Sequence, residues 1–329
     1  MQWFSPESCC QLFAKVRILK KHGRKDMDEL ELKSYAKINL GLILVRKRQD
    51  GYYDIATVFQ QVDLADTLTF ARVPGGFSLA CEGIAVPAGR DNMVYRAFDL
   101  VRKQTGIRGG LRVILRKAIP TGAGLGGGSS NAAATLSAVN TIWGLGLSKE
   151  ILARMGIDIG SDVPFFLYGG TVLGEGRGEV MTKLFWTGDY RIALVCPDVS
   201  VSTAWAYGQV KLDLTKSEKL SNFRAILGNY APQILKGHFV NEFEGVVFRK
   251  HPELKGIKEE LVKRGAFYAS MSGSGSSIYG LFHDRDEAER TCSFFSGTRG
   301  FRAYLTRPIL SDKTDLEPFF QRHSGKTSG

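Results

Sequence analysis

Five of the eight residues from Thr121 to Gly128 are glycine, and Ser129, Ser130, Asn131 and three alanines follow at once. Glycines at 122, 124, 126, 127 and 128 put no side chains in the way, so backbone N–H groups can turn inward together. A helix predicted to start at Ser129 or Ser130, either of them a natural N-cap, adds its positive dipole end. That combination makes a cradle for phosphate oxygens. It is neither of two familiar phosphate loops. A Walker loop ends in Gly-Lys-Ser/Thr, whereas Gly128 is followed directly by Ser129. Gly122-x-Gly124-x-x-Gly127 matches the dinucleotide fingerprint in letters alone, because no βαβ frame surrounds it and the acidic residues downstream are Glu150 and Asp158.

No other chemistry is as clearly marked. His22, His238, His251, His283 and His323 show no metal spacing such as HExxH. Cys9, Cys10, Cys81, Cys196 and Cys292 are odd in number and scattered, with no CxxC pair. That pattern argues against a disulfide framework or a zinc ribbon and predicts a reducing, cytoplasmic setting.

The elements that must hold the glycine loop can be read around it. Leu111, Val113 and Leu115 alternate with Arg112, Ile114 and Arg116, a strand running into Pro120. Before it, Asp91 or Asn92 could cap a helix carrying Val94, Ala97, Phe98 and Val101, with Gly106 as its stop. Extended runs are predicted over 32–45 and 58–70, joined through Asp50-Gly51 by a connection too long for a tight hairpin. Arg46, Lys47 and Arg48 read as a solvated strand end. The second half opens on an apolar strand, 192–196, and carries helical patterns at 217–227, 238–249, 254–264 and 284–295. Strands are predicted at 268–271, 277–282 and 301–306, the first two separated by Ser272-Gly-Ser-Gly-Ser276. Strands and helices mix without strict βαβ alternation, so the fold class is α+β.

Composition narrows the choice of function. With 43% hydrophobic and 23% charged residues in 329, the chain has material for one large or two ordinary domains. Disorder throughout is excluded, and so is collagen, because the 38 glycines keep no three-residue period. No apolar run approaches the length of a membrane span. The formal charge is +11, and six basic residues sit among the first 26 against Glu7 and Asp26. Such an excess suits a polyanion, either nucleic acid or a small phosphorylated ligand. Charge alone does not separate the two.

Four motifs do. Pro120-Thr-Gly-Ala-Gly-Leu-Gly-Gly-Gly-Ser-Ser-Asn-Ala-Ala133 resembles the second signature of the GHMP small-molecule kinases. Ala36-Lys-Ile-Asn-Leu40 with Asp50-Gly-Tyr52, then Gly160-Ser-Asp-Val-Pro-Phe165, then Ser270-Met-Ser-Gly-Ser-Gly275 match the same family in the same order. Together they run from about Lys33 to Thr306. The triple glycine followed by Ser-Ser-Asn-Ala-Ala is most similar to the branch that phosphorylates a cytidine diphosphate-linked polyol on the non-mevalonate route to isoprenoids. Homoserine- or mevalonate-type members are the alternative within the family, and a nucleic-acid-binding protein is the rival from another class.

The resemblance implies two lobes: an N-terminal one (27–184) like domain 2 of ribosomal protein S5, and a ferredoxin-like C-terminal one (185–310), with the site in the cleft. It implies Asp162 as the base, assisted by Lys37, an arrangement that also spares each the cost of an unpaired charge beside apolar neighbours. ATP, with Mg²⁺ on ligands the sequence does not announce, is expected on Pro120, Thr121, Gly122, Ala123, Gly124, Leu125, Gly126, Gly127, Gly128, Ser129 and Ser130. Asn92 and Lys117 fall near its adenine. Asn39, Tyr52, Tyr53, Thr203, Tyr207, Gly273, Ser274 and Gly275 are expected at the second substrate. The family usually has histidine where this chain has Tyr53, which can stack on a pyrimidine but supplies no imidazole. Small-molecule substrates are the only partners expected, in a monomer or homodimer, with no nucleic acid and no membrane. Residues 1–26 read as a disordered or mis-annotated extension before Met27, whose removal should leave stability and turnover unchanged, and 311–329 as a flexible tail.

Overall fold

The computed structural model describes residues 17–18, 29–184, 188–210 and 239–310. The first lobe is built on β1 (Arg17–Ile18), β2 (Glu29–Lys47), β3 (Tyr53–Val73), β4 (Phe77–Gly83), β5 (Gly110–Lys117), β6 (Thr171–Gly176) and β7 (Val180–Lys183). Its sheet runs β1-β2-β3-β5-β4, with β6 joined to the N-terminal part of β3 and β7 to β6. Every pairing is antiparallel except β4 with β5. Helices α1 (Met93–Thr105), α2 (Gly127–Ile142), α3 (Lys149–Ile157) and α4 (Val163–Tyr168) belong to this lobe.

The second lobe carries the sheet β11-β8-β10-β9, formed by β8 (Arg191–Pro197), β9 (Tyr268–Met271), β10 (Ile278–Phe282) and β11 (Phe301–Thr306). Around it lie α5 (Thr203–Gln209), α6 (Glu244–Lys250), α7 (Pro252–Lys263) and α8 (Arg285–Ser296). The α+β, two-lobed reading is correct.

The run 36–44 is buried on both faces because β2 is shared between the lobes. Ala36, Ile38, Leu40 and Ile43 join Ile192, Leu194, Tyr279 and Leu281 in one apolar cluster. Register shifts at Tyr35/Ala36 and Asn39/Gly41 break the β2–β3 ladder. The second lobe donates to carbonyls in that stretch: Tyr279 Oη to Asn39 O at 2.8 Å and Tyr268 Oη to Leu40 O at 2.6 Å. Burial pushes both phenols far above their usual range, so they remain donors. A bulged strand thus has its backbone partners restored across the interface.

Three local expectations change. The β2–β3 connection is short, with Arg48 N donating to Tyr52 O and Gly51 at φ +85°. Helix α2 starts at Gly127, and its N-cap is Gly126 at φ +67°, not Ser129 or Ser130. A left-handed cap needs glycine and lets the loop turn straight into the helix. In the second lobe, helix begins at Glu244 instead of 238, because Asn241 leaves the helical path to bridge Leu42. The element expected at 217–227 and the tail at 311–329 lie outside the described residues. Of the N-terminal segment, Arg17 and Ile18 pair with Glu31 and Leu30 on the edge of β2.

Candidate active site

Helix α2 can sit deep in its lobe because its side chains are small. Ala132, Ala133, Ala134 and Ala138 are fully buried, with Ser34 Oγ from β2 donating to Asn131 Oδ1 and hydrogen-bonded to the Ser130 hydroxyl, both at 2.7 Å. Ser130 is therefore engaged in packing. The glycine loop ahead of it is fixed from both lobes. Lys37 N donates to Leu125 O at 3.0 Å, Ser272 Oγ to Gly124 O at 2.9 Å, and Ser277 N to Ala123 O at 3.2 Å. A Cβ on Gly124 would meet Ser272 O at 2.2 Å, so only glycine admits this approach.

The strand entering the loop is anchored by a buried ion pair. Lys117 Nζ lies 2.7 Å from Asp66 Oδ2 and 2.6 Å from Ile119 O. Asp66 Oδ1 accepts from Ala118 N and Ile119 N, both at 2.8 Å. Burial lowers the Lys117 ammonium and Asp66 opposes that shift. Sequence reasoning missed Asp66, 51 residues away and in an ordinary strand pattern.

Two hollows adjoin the loop. The larger, about 690 Å³, opens between the lobes and is bordered by Lys37, Asn39, Asp162, Tyr52, Tyr53, Thr203, Tyr207, Gly273 and Ser274. The smaller, about 320 Å³, is bordered by Asn92, Lys117 and every residue from Pro120 to Ser129. Gly124, Gly126 and Ser129 border both. Of the expected site residues, Ser130 and Gly275 face neither hollow. Gly275 turns its Cα toward Met271, whose sulfur a Cβ would meet at 2.8 Å.

At the centre, Lys37 Nζ stands 3.8 Å from Asp162 Oδ2 and donates to Asn39 Oδ1 at 2.6 Å. Asn39 Nδ2 passes the chain to Thr57 Oγ1 at 2.8 Å, which donates to Gly41 O at 2.6 Å. The ammonium is almost wholly enclosed, whereas a third of the Asp162 side chain is open to the cleft. Asp162 sits at the N-cap of α4 without making a cap hydrogen bond, which leaves both carboxylate oxygens for the cavity. Burial lowers the Lys37 ammonium below its ordinary range, and Asp162 counters it.

The outer cleft is aromatic. The rings of Tyr53 and Tyr207 are 5.3 Å apart, and Tyr207 meets Phe243 edge-on at 4.8 Å. Burial pushes the Tyr207 phenol up to about 12, with Asp162 adding to it. Thr203 Oγ1 and Ser274 Oγ share a hydrogen bond of 2.9 Å. Asn241 Nδ2 donates to Met271 O and Gly273 O, both at 2.7 Å, and so holds the third motif's turn. Neither Phe243 nor Asn241 carried a signal, because 238–249 reads as continuous helix. Arg177, whose guanidinium lies 4.0 Å over the Tyr52 ring, was also missed. Its position inside Gly-Glu-Gly-Arg-Gly, a turn between strands, was the available cue.

A cleft that joins a glycine-rich loop ahead of a helix to an enclosed lysine facing a partly open carboxylate fits phosphoryl transfer, which needs positioning and local positive charge more than covalent chemistry. Comparison with known proteins agrees. Residues 92–170 match the GHMP kinases N terminal domain, and 213–297 match the GHMP kinases C terminal family. The chain is similar to 4-diphosphocytidyl-2-C-methyl-D-erythritol kinase of Thermodesulfovibrio yellowstonii, 41% identical over 82% of this chain and 95% of the relative. It is 37% identical to that of Gloeobacter violaceus over 85% and 95%. A crystal structure of 4-(cytidine 5'-diphospho)-2C-methyl-D-erythritol kinase superposes with TM-score 0.70 at 35% identity, covering 84% of this chain and 98% of its own. Homoserine kinase from Cytophaga hutchinsonii shares the fold, with TM-score 0.69 at 19% identity over 88% of this chain and all of its own.

Proposed function

Because this chain belongs to the GHMP kinases, and within them to the 4-diphosphocytidyl-2-C-methyl-D-erythritol kinases, we propose that it moves the γ-phosphoryl group of ATP to the 2-hydroxyl of that alcohol. The carrying observation is the Lys37–Asp162 pair, set between the glycine loop and the aromatic cleft. The acceptor is a tertiary alcohol, since carbon 2 bears the methyl group, and so a hindered and weak nucleophile. Asp162 takes its proton as the new P–O bond forms and the bond to the β-phosphate oxygen breaks. Lys37, oriented by Asn39, holds positive charge against the attacking oxygen. The loop amides hold the phosphates and keep them in line with the hydroxyl.

Mg²⁺ travelling with ATP keeps several waters and takes only one or two protein oxygens. No group of three or more His, Cys, Asp or Glu converges on a metal site among the described residues. The Ser129 hydroxyl, at the junction of the two hollows beside the glycine loop, suits that sparse demand. The ion would offset charge between the phosphates. The free thiols of Cys81, Cys196 and Cys292 support a reducing, cytoplasmic setting. No helix among the described residues is long and apolar enough to cross a membrane.

The test of this reading is a panel of alcohols with purified enzyme. The diphosphocytidyl alcohol should give the highest kcat/KM, well above homoserine and mevalonate. A higher value for either of those would reassign the substrate.

Lys37 also sets a pH dependence. Its ammonium titrates below the free-lysine value of 10.5. Between the lowered value and 10.5 the folded enzyme binds fewer protons there than the unfolded chain, so Lys37's contribution to stability rises with pH in that window. Activity that needs the charged form falls across the same window. The expected profile is an alkaline loss of kcat/KM setting in below pH 10.5, while the denaturation midpoint does not fall in parallel. A kcat/KM that stays flat up to pH 10.5 would contradict it.

A further inference from the structure

Several charged groups around the cleft are held in plain ion pairs. Lys117 is sealed against Asp66, and at the end of β2 Arg46 pairs with Asp54 and Arg48 with both Asp50 and Asp54. The basic run 46–48 is therefore no simple solvated strand end. Lys37 is held differently. Its firm contact, at 2.6 Å, is with the neutral Asn39 Oδ1, while Asp162 Oδ2 stands off at 3.8 Å, beyond hydrogen-bond reach. Behind Asn39 lies Thr57, a fully buried residue of β3. By the pleat, Thr57 shares a strand face with Tyr53, Ile55 and Phe59, all three of which border the cleft.

One proton decides the direction of this row of hydrogen bonds. A threonine hydroxyl has a single O–H to give and lone pairs to receive with. Thr57 gives its proton to Gly41 O at 2.6 Å. The β2–β3 register shifts between Asn39 and Gly41, and beside that break a side chain satisfies the strand carbonyl. With its proton committed, the hydroxyl meets Asn39 as an acceptor, so the amide must present Nδ2, at 2.8 Å. The other end, Oδ1, is then turned to the Lys37 ammonium. A reversed amide would set NH₂ against NH₃⁺, donor against donor. Neither could turn to water instead, because Asn39 is 1% exposed and Lys37 4%.

We propose that Thr57 is a positioning residue for phosphoryl transfer: by fixing which end of the Asn39 amide faces Lys37, it tethers the ammonium away from Asp162. This rests on the functional reading above and adds a residue that acts only through Asn39 and Lys37. An ammonium released to close on Asp162 would occupy a carboxylate oxygen that must receive the hydroxyl proton. Tethered, it stays near enough to offset charge on the attacking oxygen and leaves the carboxylate to take the proton. Three groups face the ammonium across the site. Asp162 comes from the start of α4, and the Phe59 ring of β3 lies 5.5 Å away. Gly273 closes the second-lobe side, where a Cβ would come within 3.4 Å of Nζ. Tyr207 of α5 borders the same cleft with its phenol pushed up to about 12, hence neutral. Among these groups Asp162 alone is charged, so none replaces the amide acceptor without engaging the base.

The test compares wild type with Thr57→Val, Thr57→Ala and Thr57→Ser, on whichever alcohol the wild type phosphorylates best. Thr57→Val keeps the shape but loses the hydroxyl, so the Asn39 amide is no longer oriented. It should lower kcat about 10-fold, the scale of one hydrogen bond to a charged group, and leave KM for ATP unchanged. The alkaline fall in kcat/KM should move to lower pH, because the ammonium has lost its steady acceptor. Thr57→Ala should repeat both effects, and it reads the loss of the hydroxyl if Thr57→Val does not fold. Thr57→Ser keeps the hydroxyl and drops a buried methyl, so it should lose stability while kcat and the alkaline fall stay as in wild type. A purely structural role predicts instead that kcat follows the urea midpoint through all three variants, with the alkaline fall unmoved. That pattern, or wild-type kcat in a variant without the hydroxyl, overturns the proposal and leaves the functional reading standing. A wild type that ignores the diphosphocytidyl alcohol but phosphorylates another overturns the functional reading, and the Thr57 comparison is then read on that other alcohol.

Discussion

Asp162→Asn is expected to lower kcat by about 10²–10⁴-fold, the range over which a positioned general base contributes. The variant keeps the shape of the side chain but cannot accept the hydroxyl proton. ATP binding should be almost unaffected, because the hollow bordered by Pro120 to Ser129 does not include residue 162. Stability should fall only modestly, although the enclosed Lys37 ammonium loses its carboxylate partner. The Asp162 side chain is one-third open and makes no cap bond, and Lys37 retains its 2.6 Å hydrogen bond to Asn39. Steady-state kinetics with ATP and the alcohol varied in turn, beside a denaturation midpoint, separate these effects. Full turnover in Asp162→Asn would mean that positioning and electrostatics alone drive transfer, and the proton would need another acceptor.

The second large effect is expected at Gly126. On sequence grounds a side chain there would simply crowd the ATP phosphates. The structure turns it the other way: a Cβ would meet Phe166 Cζ at 2.7 Å and Lys37 Cγ at 3.1 Å, at φ +67°. Gly126→Val therefore strains the backbone by about 1–3 kcal/mol and overpacks the core by about 1–3 kcal/mol more. Against a total stability of about 5–15 kcal/mol, that is a serious loss. It should also displace Lys37 from Asp162, lowering kcat together with ATP affinity. Gly122 provides the comparison. It has a similar φ of +65° but nothing within 4 Å of a Cβ, so Gly122→Ala should cost only the backbone term. Urea denaturation of both variants checks the contrast, and equal midpoints would contradict it.

How much of this was legible in the sequence depended on how local the physics was. The glycine loop, the Asn92 cap and the Gly106 stop are set within a few residues of themselves, and they stand where the pattern put them. The strands 268–271 and 301–306 match residue for residue, being short, apolar and bounded by turn residues. Lys37, Asn39, Tyr53, Thr203 and Tyr207 border one cleft, where the resemblance expected them. What stayed hidden was long-range or was overridden by tertiary contact. The start of α2 was misplaced because a serine looks like a cap, whereas Gly126 takes the left-handed position and Ser130 is claimed by Ser34. Asn39 could have been an outward polar residue on a strand. It is buried because the second lobe covers β2, which no local pattern reports. Short elements such as α4 and β7 have too few residues to show a period.

The most direct test of the central claim is the position of the transferred phosphate. Purified enzyme is incubated with ATP, Mg²⁺ and 4-diphosphocytidyl-2-C-methyl-D-erythritol, and the products are followed by proton-coupled phosphorus NMR. Carbon 2 carries no hydrogen, so a phosphate on its oxygen has no three-bond proton partner. The account predicts one new phosphomonoester singlet, growing in step with ADP while the diphosphate resonances persist. A new ester split by proton coupling, or ADP formed with no new ester, would contradict it.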